Sequence, residues 1–382
     1  MPIKVTQIEL TLPQYRVAFC QAARKILAER GIDYEYIVGQ PTADQAAKAD
    51  LATLGWERRV DNRYLPVGHT PLVWQPVLRE FWQSDLVIVG QQNQRLVNYV
   101  GQMLGPLRPA RLAFWGHGRN FQARSEASPA ERWKRFWASR CDWWFAYTEQ
   151  SREAVERCGF PPERITVFHN AIDTAQLRRW ADDMGEEELA ALRRRLEITT
   201  DRVAVYVGAL YDHKRIDFLI EAAIAVRRRL PDFVLIVVGS GVDRPKVEQA
   251  AAAHPWIRYL GPRFGRELAA IFRLGRAAVM PGAIGLGILD GSALGVPMVT
   301  TTYPYHGPEF AYLRSGENGL IVGDWQDPQA YADAVTTVLV DSAVHAHLAD
   351  GARRMAETHT IERMAENFAD GVVKAIAAPR CW

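Results

Sequence analysis

Two rhythms alternate along the chain. Apolar runs of strand length, VTQIELTL, DLVIVG, RLAFW and DWWFAYT, are followed by polar or helically periodic segments such as VAFCQAARKILAERG. The pattern restarts at RVAVYVGAL and continues through FLIEAAIAVRRRL, FVLIVVGSG, WIRYLG, AAVMPG and PMVTT. Such alternation predicts parallel βα units, and two successive sets of them predict two doubly wound domains. Between the sets, the strand-like ITVF gives way to the polar stretch FHNAIDTAQ, residues 168–176, where a hinge is expected. A separate helix, LRRWADDMGEEELAALRRRL, is expected to follow it. The order of the strands in the first half does not follow from the pattern.

Composition narrows the function classes. The length of 382 residues favours two domains over one, and 48% hydrophobic with 24% charged residues is an ordinary globular balance. A net charge of +2 gives no bulk attraction for nucleic acid, so none is expected as a partner. Cys20, Cys141, Cys158 and Cys381 are widely spaced and form no CxxC pair, which fits a reducing compartment. The start, MPIKVTQIEL, lacks the basic-then-apolar pattern of a signal, and no apolar run approaches the ~20 residues of a membrane span. A cytoplasmic protein is expected. There is no Asp-x-Asp pair and no His/Cys cluster at ligand spacing, so neither a metal nor another cofactor is expected.

The stretch 281–297, PGAIGLGILDGSALGVP, crowds glycines around a single charge, Asp290. Each glycine inside an element costs about 0.5–1 kcal/mol relative to alanine, so the run needs a turn or a ligand that touches the backbone. A glycine-rich loop leading into a helix near Gly287 would bring N–H groups and a positive helix end to a phosphate. Asp290 in that first turn would either accept two hydroxyls of a cis-diol or merely complement the helix dipole.

Several segments in order resemble glycosyltransferase family 4: ITVFHNAID, VAVYVGALYDHKRIDFLIEAA, GLGILDGSALGVPMVTT and HGPEFAYLRSGENGLIV, with weaker likeness at LPQYRVAF and FWGHGRN. The resemblance implies a GT-B fold, two Rossmann-like α/β domains facing each other across a cleft, with residues 1–172 on the acceptor side and 173–358 binding the nucleotide sugar. Residues 359–382 would form a helix returning to the first domain. It also implies transfer of a sugar from a nucleotide donor, with retention, to a glycan or lipid-linked acceptor, in the manner of bacterial surface polysaccharide assembly.

By the same resemblance the donor is bound by Gly208, Ala209, Lys214, Arg215, Gly239 and the run Gly285, Leu286, Gly287, Ile288, Leu289, Asp290. Lys214 would follow the departing phosphate as a point charge. Asp290 would hold the ribose. His117, between Gly116 and Gly118, matches the histidine that faces the donor sugar; with Lys214 and Asp290 it makes up the catalytic set. Tyr15, Arg16, Arg119 and Asn120 fall on the acceptor side, the first two where an acceptor or its phosphate would lie. Two positions depart from the family. Gly282 stands where a first glutamate is usual, and Ala209 where the phosphate loop has arginine; Arg215 and His213 are candidate compensators. Glu309 matches a loop-ordering glutamate, and His306 is a further cleft candidate.

Residues 128–140, SPAERWKRFWASR, open with a capping box of Ser128, Pro129 and Glu131. Trp133, Phe136 and Trp137 share a face while Arg132, Lys134, Arg135 and Arg140 crowd the rest, which suits either an anionic membrane surface or packing into the first domain. A sugar-nucleotide 2-epimerase of the same fold and a non-catalytic binding scaffold are the competing readings.

Overall fold

The computed structural model describes residues 2–42, 51–66, 71–118 and 129–381. The chain divides into two compact units, residues 1–172 with 361–382 and residues 173–360.

Unit 1 contains β1 (Ile3–Glu9), β2 (Ile32–Gly39), β3 (Arg58–Val60), an antiparallel pair β4 (Arg63–Leu65) and β5 (Leu72–Trp74), then β6 (Leu86–Gly90), β7 (Arg111–Gly116), β8 (Trp143–Ala146) and β9 (Ile165–Val167). Its main sheet is parallel throughout in the order β3-β2-β1-β6-β7-β8-β9. Strands covered on both faces read as continuous apolar runs, and β6, LVIVG, is buried at every position. The chain winds outward from β1 to β3 and then returns to β6 on the other side. That reversal opens a crevice at the carboxyl ends of β1 and β6, the place where doubly wound sheets bind ligands.

The closing helix, Ile361–Ala377, belongs to this unit. Phe368 is wedged among Phe19, Tyr34, Trp115 and Phe145, with ring centroids 5.0–6.0 Å apart. Gly371 is required by this packing, since a Cβ there would lie 2.6 Å from the Thr166 side chain.

Unit 2 contains β10 (Val203–Val207), β11 (Val234–Val238), β12 (Ile257–Gly261), β13 (Ala277–Val279), β14 (Met298–Thr301) and β15 (Gly319–Val322). They form a parallel sheet in the order β12-β11-β10-β13-β14-β15, with the reversal between β10 and β13. The single helix expected over LRRWADDMGEEELAALRRRL is instead two, Thr174–Asp182 and Glu186–Arg195. Asp173 starts the first by accepting from the Gln176 N–H at 2.8 Å. Extended Gly185 precedes the second, whose first turn carries Glu186, Glu187 and Glu188 and whose last carries Arg193, Arg194 and Arg195. Acids at one end and bases at the other complement a helix dipole and favour a fresh start there. Among the described residues no helix is long and apolar enough to cross a membrane.

Candidate functional site

The crevice of unit 2 is built by two loops that follow β10 and β13. After β10 the chain runs through Gly208 and Ala209 into a short 3-10 turn, Asp212–Lys214. Arg215 then takes a left-handed conformation, φ 57°, and the helix Ile216–Arg229 begins. The second loop is stapled to the first by backbone and side chain. The Ala283 N–H donates to the His213 carbonyl at 2.8 Å, and the Lys214 ammonium donates to the Ala283 carbonyl. Between these bonds lies Gly282, where a Cβ would sit 2.2 Å from the His213 oxygen and 2.8 Å from the Lys214 Cα. No side chain fits there, so the close approach of the loops requires glycine where the resemblance leads one to expect glutamate.

His306 fixes the same loop from a third side. Its Nδ1 accepts from the Ile284 N–H at 3.0 Å, its Nε2 donates to the Thr301 carbonyl at 2.9 Å, and its ring stacks on Phe310. Burial, with the nearby Lys214 charge, lowers its pKa to about 4. A neutral ring with both nitrogens engaged is a strut rather than a free cleft base. Glu309 is buried beside this loop; its carboxylate acts to raise the Lys214 pKa, but burial dominates and holds that ammonium down at about 8.

The glycines in and against this loop separate into two kinds. Gly307 is demanded by the protein, for a Cβ would lie 2.7 Å from the Ile284 oxygen. Gly285 faces open space, and Gly287 would meet nothing closer than 3.6 Å. The N–H groups of Gly285, Leu286 and Gly287 donate to no acceptor among the described residues. The helix Gly287–Ala293 starts here, with Ile288 and Leu289 buried and Asp290 in its first turn. Asp290 has no hydrogen-bond or ion-pair partner among the described residues, and desolvation raises its pKa to about 7. The two loops therefore hold a buried cation beside open N–H groups, and the helix they lead into carries an uncommitted carboxylate in its first turn.

Gly239, φ 141°, lies against Gly208, whose oxygen would be 1.8 Å from a Cβ, so the ends of β10 and β11 touch through glycine. The Ala209 carbonyl accepts from the Tyr206 hydroxyl at 2.8 Å. The Arg215 guanidinium donates to the Trp325 carbonyl and lies over the rings of Phe218, Trp325 and Tyr303 at 4.0, 4.8 and 5.6 Å. His213 is 2.9 Å from the Tyr303 hydroxyl. Both proposed compensators are thus engaged with protein groups.

In unit 1, a pocket of about 180 Å³ occupies the crevice at β1 and β6. Tyr15 and Arg16, expected on the acceptor side, line it. Its other polar and aromatic lining residues include several not expected from the sequence: Gln7 and Glu9 from β1, Gln92, Gln94 and Arg95 after β6, and Trp115 and Tyr147. The available signal was the polar run QQNQR after DLVIVG, which needs the strand order before it points anywhere. Arg95 ion-pairs with Glu9 and donates to the Ile8 carbonyl at 2.9 Å and to Gln92 at 3.1 Å. Arg16 is buried and donates to Asn170 Oδ1 at 2.7 Å.

His117 follows β7, its ring edge-on to Tyr147 at 4.3 Å. Gly118, φ 76°, would place a Cβ 2.6 Å from Val155. Arg119 and Asn120 lie outside the described residues, as does Ser128 of the capping box. The helix Pro129–Ala138 is present. Trp137 packs edge-on to Tyr99 and the Trp133 indole donates to the Tyr99 hydroxyl at 3.0 Å, yet Trp133 and Phe136 remain more than half exposed.

Residues 19–176 match the family described as Glycosyltransferase Family 4, and residues 201–341 match Glycosyl transferases group 1. The D-inositol 3-phosphate glycosyltransferase of Salinispora arenicola is 30% identical over 244 residues, covering 60% of this chain and 54% of the relative. The corresponding protein of Corynebacterium urealyticum is 33% identical over 182 residues, covering 44% and 42%. The chain spans about half the length of the curated relatives it matches. Among solved structures, Anabaena HepE in complex with UDP-glucose aligns with a TM-score of 0.71 at 17% identity, covering 97% of this chain and 99% of that one. Sucrose-phosphate synthase from Thermosynechococcus elongatus aligns with a TM-score of 0.71 at 16% identity, covering 99% and 100%. These likenesses show the GT-B fold.

Proposed function

We propose that this chain, which belongs to the family 4 glycosyltransferases, moves a sugar from a nucleotide-sugar donor to a hydroxyl of a glycan or other glycoconjugate. The observation that carries the reading is the pair of loops at the unit 2 switch point, which hold Lys214 and the open N–H groups of Gly285, Leu286 and Gly287 and lead into the helix turn that bears Asp290. A diphosphate suits the first two and a ribose cis-diol the third. The HepE structure, which holds UDP-glucose, supports a nucleotide-sugar donor here, and the family matches do not favour the epimerase reading.

In the proposed step the acceptor oxygen bonds to the anomeric carbon while the bond from that carbon to the distal phosphate oxygen breaks. The nucleoside diphosphate leaves with the electron pair, and the acceptor's proton passes to it. Lys214 and the loop N–H groups stabilise the negative charge that develops on phosphate. His117 is the unit 1 group proposed to act at the sugar as it gains positive character, an interaction worth more in the transition state than in the bound complex. Retention of configuration, independence of divalent metal and a place in bacterial surface polysaccharide assembly are parts of the same proposal. So is peripheral attachment to an anionic membrane surface through the exposed rings of Trp133 and Phe136.

The test is Lys214→Ala, titrated with a nucleoside diphosphate and with its nucleoside. The diphosphate should lose ~10- to 100-fold in affinity, the value of a charge-assisted bond, and the nucleoside little. Equal loss for both ligands would remove the diphosphate assignment.

A further inference from the structure

Of the three charged side chains lining the unit 1 pocket, Glu9 and Arg95 neutralise each other, and Arg16 meets no opposite charge among the described residues. Arg16 is only 5% exposed. Charges so far from water are ordinarily paired. Its neighbours here are neutral: the faces of Tyr15, Trp115 and Tyr147 at 5.0, 5.3 and 5.2 Å, the Asn170 amide oxygen at 2.7 Å and the Met364 sulfur at 4.0 Å. Ring faces attract a cation and keep it charged, but they give it no hydrogen-bond acceptor. Both of its hydrogen bonds leave from Nη1, so the edge formed by Nε and Nη2 donates to nothing among the described residues. That edge is the fork that grips a planar or tetrahedral oxyanion with two parallel bonds.

We infer that the unit 1 pocket takes an oxyanion carried by the acceptor, a carboxylate or a phosphate, on the free edge of Arg16, with the exposed ring of Tyr15 covering the sugar that bears it. The inference rests on the reading of unit 1 as the acceptor half. Glu9 does not oppose it, because Arg95 already holds that carboxylate, leaving the pocket one net positive charge from Arg16. The amides of Gln7, Gln92 and Gln94 supply acceptors and donors for neutral hydroxyls around the charged contact.

The experiment titrates glucose, glucuronate and glucose 6-phosphate into the full chain without donor, and UDP, GDP and dTDP into the same preparation. At least one anionic sugar should bind ~10- to 100-fold more tightly than glucose, as a charge-assisted bond gives. The preference should vanish in Arg16→Gln with nucleotide affinity unchanged. A glucuronate preference identifies a carboxylate and a glucose 6-phosphate preference a phosphate; either supports the inference. Three indistinguishable sugars, bound or not, or a preference that survives Arg16→Gln, would overturn it. Should Arg16→Gln unfold, Arg16→Lys keeps the charge without the fork, and its preference should be intermediate; a preference equal to that of the unaltered chain would overturn the bidentate contact. Nucleotide binding without any anion preference would leave the transferase reading standing and remove this inference alone. Anion preference without nucleotide binding would leave an oxyanion site on Arg16 but remove the transferase reading, and with it the assignment of that anion to an acceptor.

Discussion

The ammonium of Lys214 donates to the carbonyl oxygen of Ala283, a residue 69 positions away on the neighbouring loop. The bond parks a buried cation in the crevice without a full counter-charge. Burial lowers the pKa of Lys214 to about 8, and the carboxylate of Glu309 offsets only part of that. Asp290 is displaced in the opposite sense, to about 7, by desolvation alone. Each group is held against its charged form, and each would regain that form on meeting its proposed ligand group.

Nucleotide affinity should therefore depend on pH with two separable limbs. Below about pH 7 Asp290 takes a proton and stops accepting from two hydroxyls, and above about pH 8 Lys214 loses one and stops attracting phosphate. Diphosphate affinity should peak between these values. Nucleoside affinity should show the acid limb only, which avoids the phosphate's own ionisation near pH ~6. Asp290→Asn should flatten the acid limb and Lys214→Arg the alkaline one. Titration calorimetry from pH 6 to 9 checks this; an acid limb for the nucleoside that survives Asp290→Asn would assign it to another group.

Replacing Gly282 by the glutamate usual in the family should damage the protein rather than improve it. A Cβ at this position would meet the His213 carbonyl at 2.2 Å, and backbone cannot swing away as a side-chain tip can. Even Gly282→Ala should cost ~1–3 kcal/mol by overpacking, and it should weaken diphosphate binding by moving Lys214. Thermal unfolding and nucleotide titration of both variants decide the matter. A Gly282→Glu variant with unchanged melting temperature and tighter donor binding would show that the loops part easily.

How much of this was legible beforehand follows physical lines. The β6 run LVIVG and the β11 run VLIVV announced covered parallel strands, because burial on both faces leaves no polar alternation. The start of the helix at Gly287 was legible from local glycine chemistry. The break at Gly185 was missed, since helical periodicity on either side reads continuously across it. Long-range pairings were beyond reach. That His306 receives the Ile284 N–H, that Arg215 turns to Trp325, and that Glu9 and Arg95 meet at one end of two strands all depend on strand order. Gly282 could be seen to differ from its family, but only the approach of His213 explains why.

His117→Ala should lower turnover with little effect on folding. The ring touches Tyr147 by its edge, while the Tyr147 hydroxyl is held independently by the Trp115 indole at 2.9 Å. Deleting the imidazole leaves that pair in place. A drop in kcat of ~10²-fold, the lower end of what a positioned polar or acid–base group supplies, is expected at unchanged nucleotide affinity. Gly118→Ala is the contrasting variant: a left-handed φ of 76° and a Cβ 2.6 Å from Val155 should lower the melting temperature. Early unfolding of His117→Ala, or full turnover at saturating donor, would make the histidine structural.

His306 should give unit 2 an acid-sensitive seam. The hydrogen bond from the Ile284 N–H needs a lone pair on Nδ1, which only the neutral ring offers, and burial holds the folded pKa at about 4. The unfolded chain would titrate near pH ~6.5. Between these values the unfolded state binds the proton that the folded state refuses, so stability is complete above pH ~6.5 and falls as pH drops toward ~4. One proton sets an upper slope of ~1.4 kcal/mol per pH unit. His306→Asn has nothing to titrate. It should be less stable near neutrality, with Ile284 no longer fixed as before, but should lose less on acidification. Urea unfolding followed from pH 4 to 7 compares the two slopes. Identical slopes would place the titrating group elsewhere, and a variant as stable as the unaltered chain at pH 7 would mean that the loop does not depend on this strut.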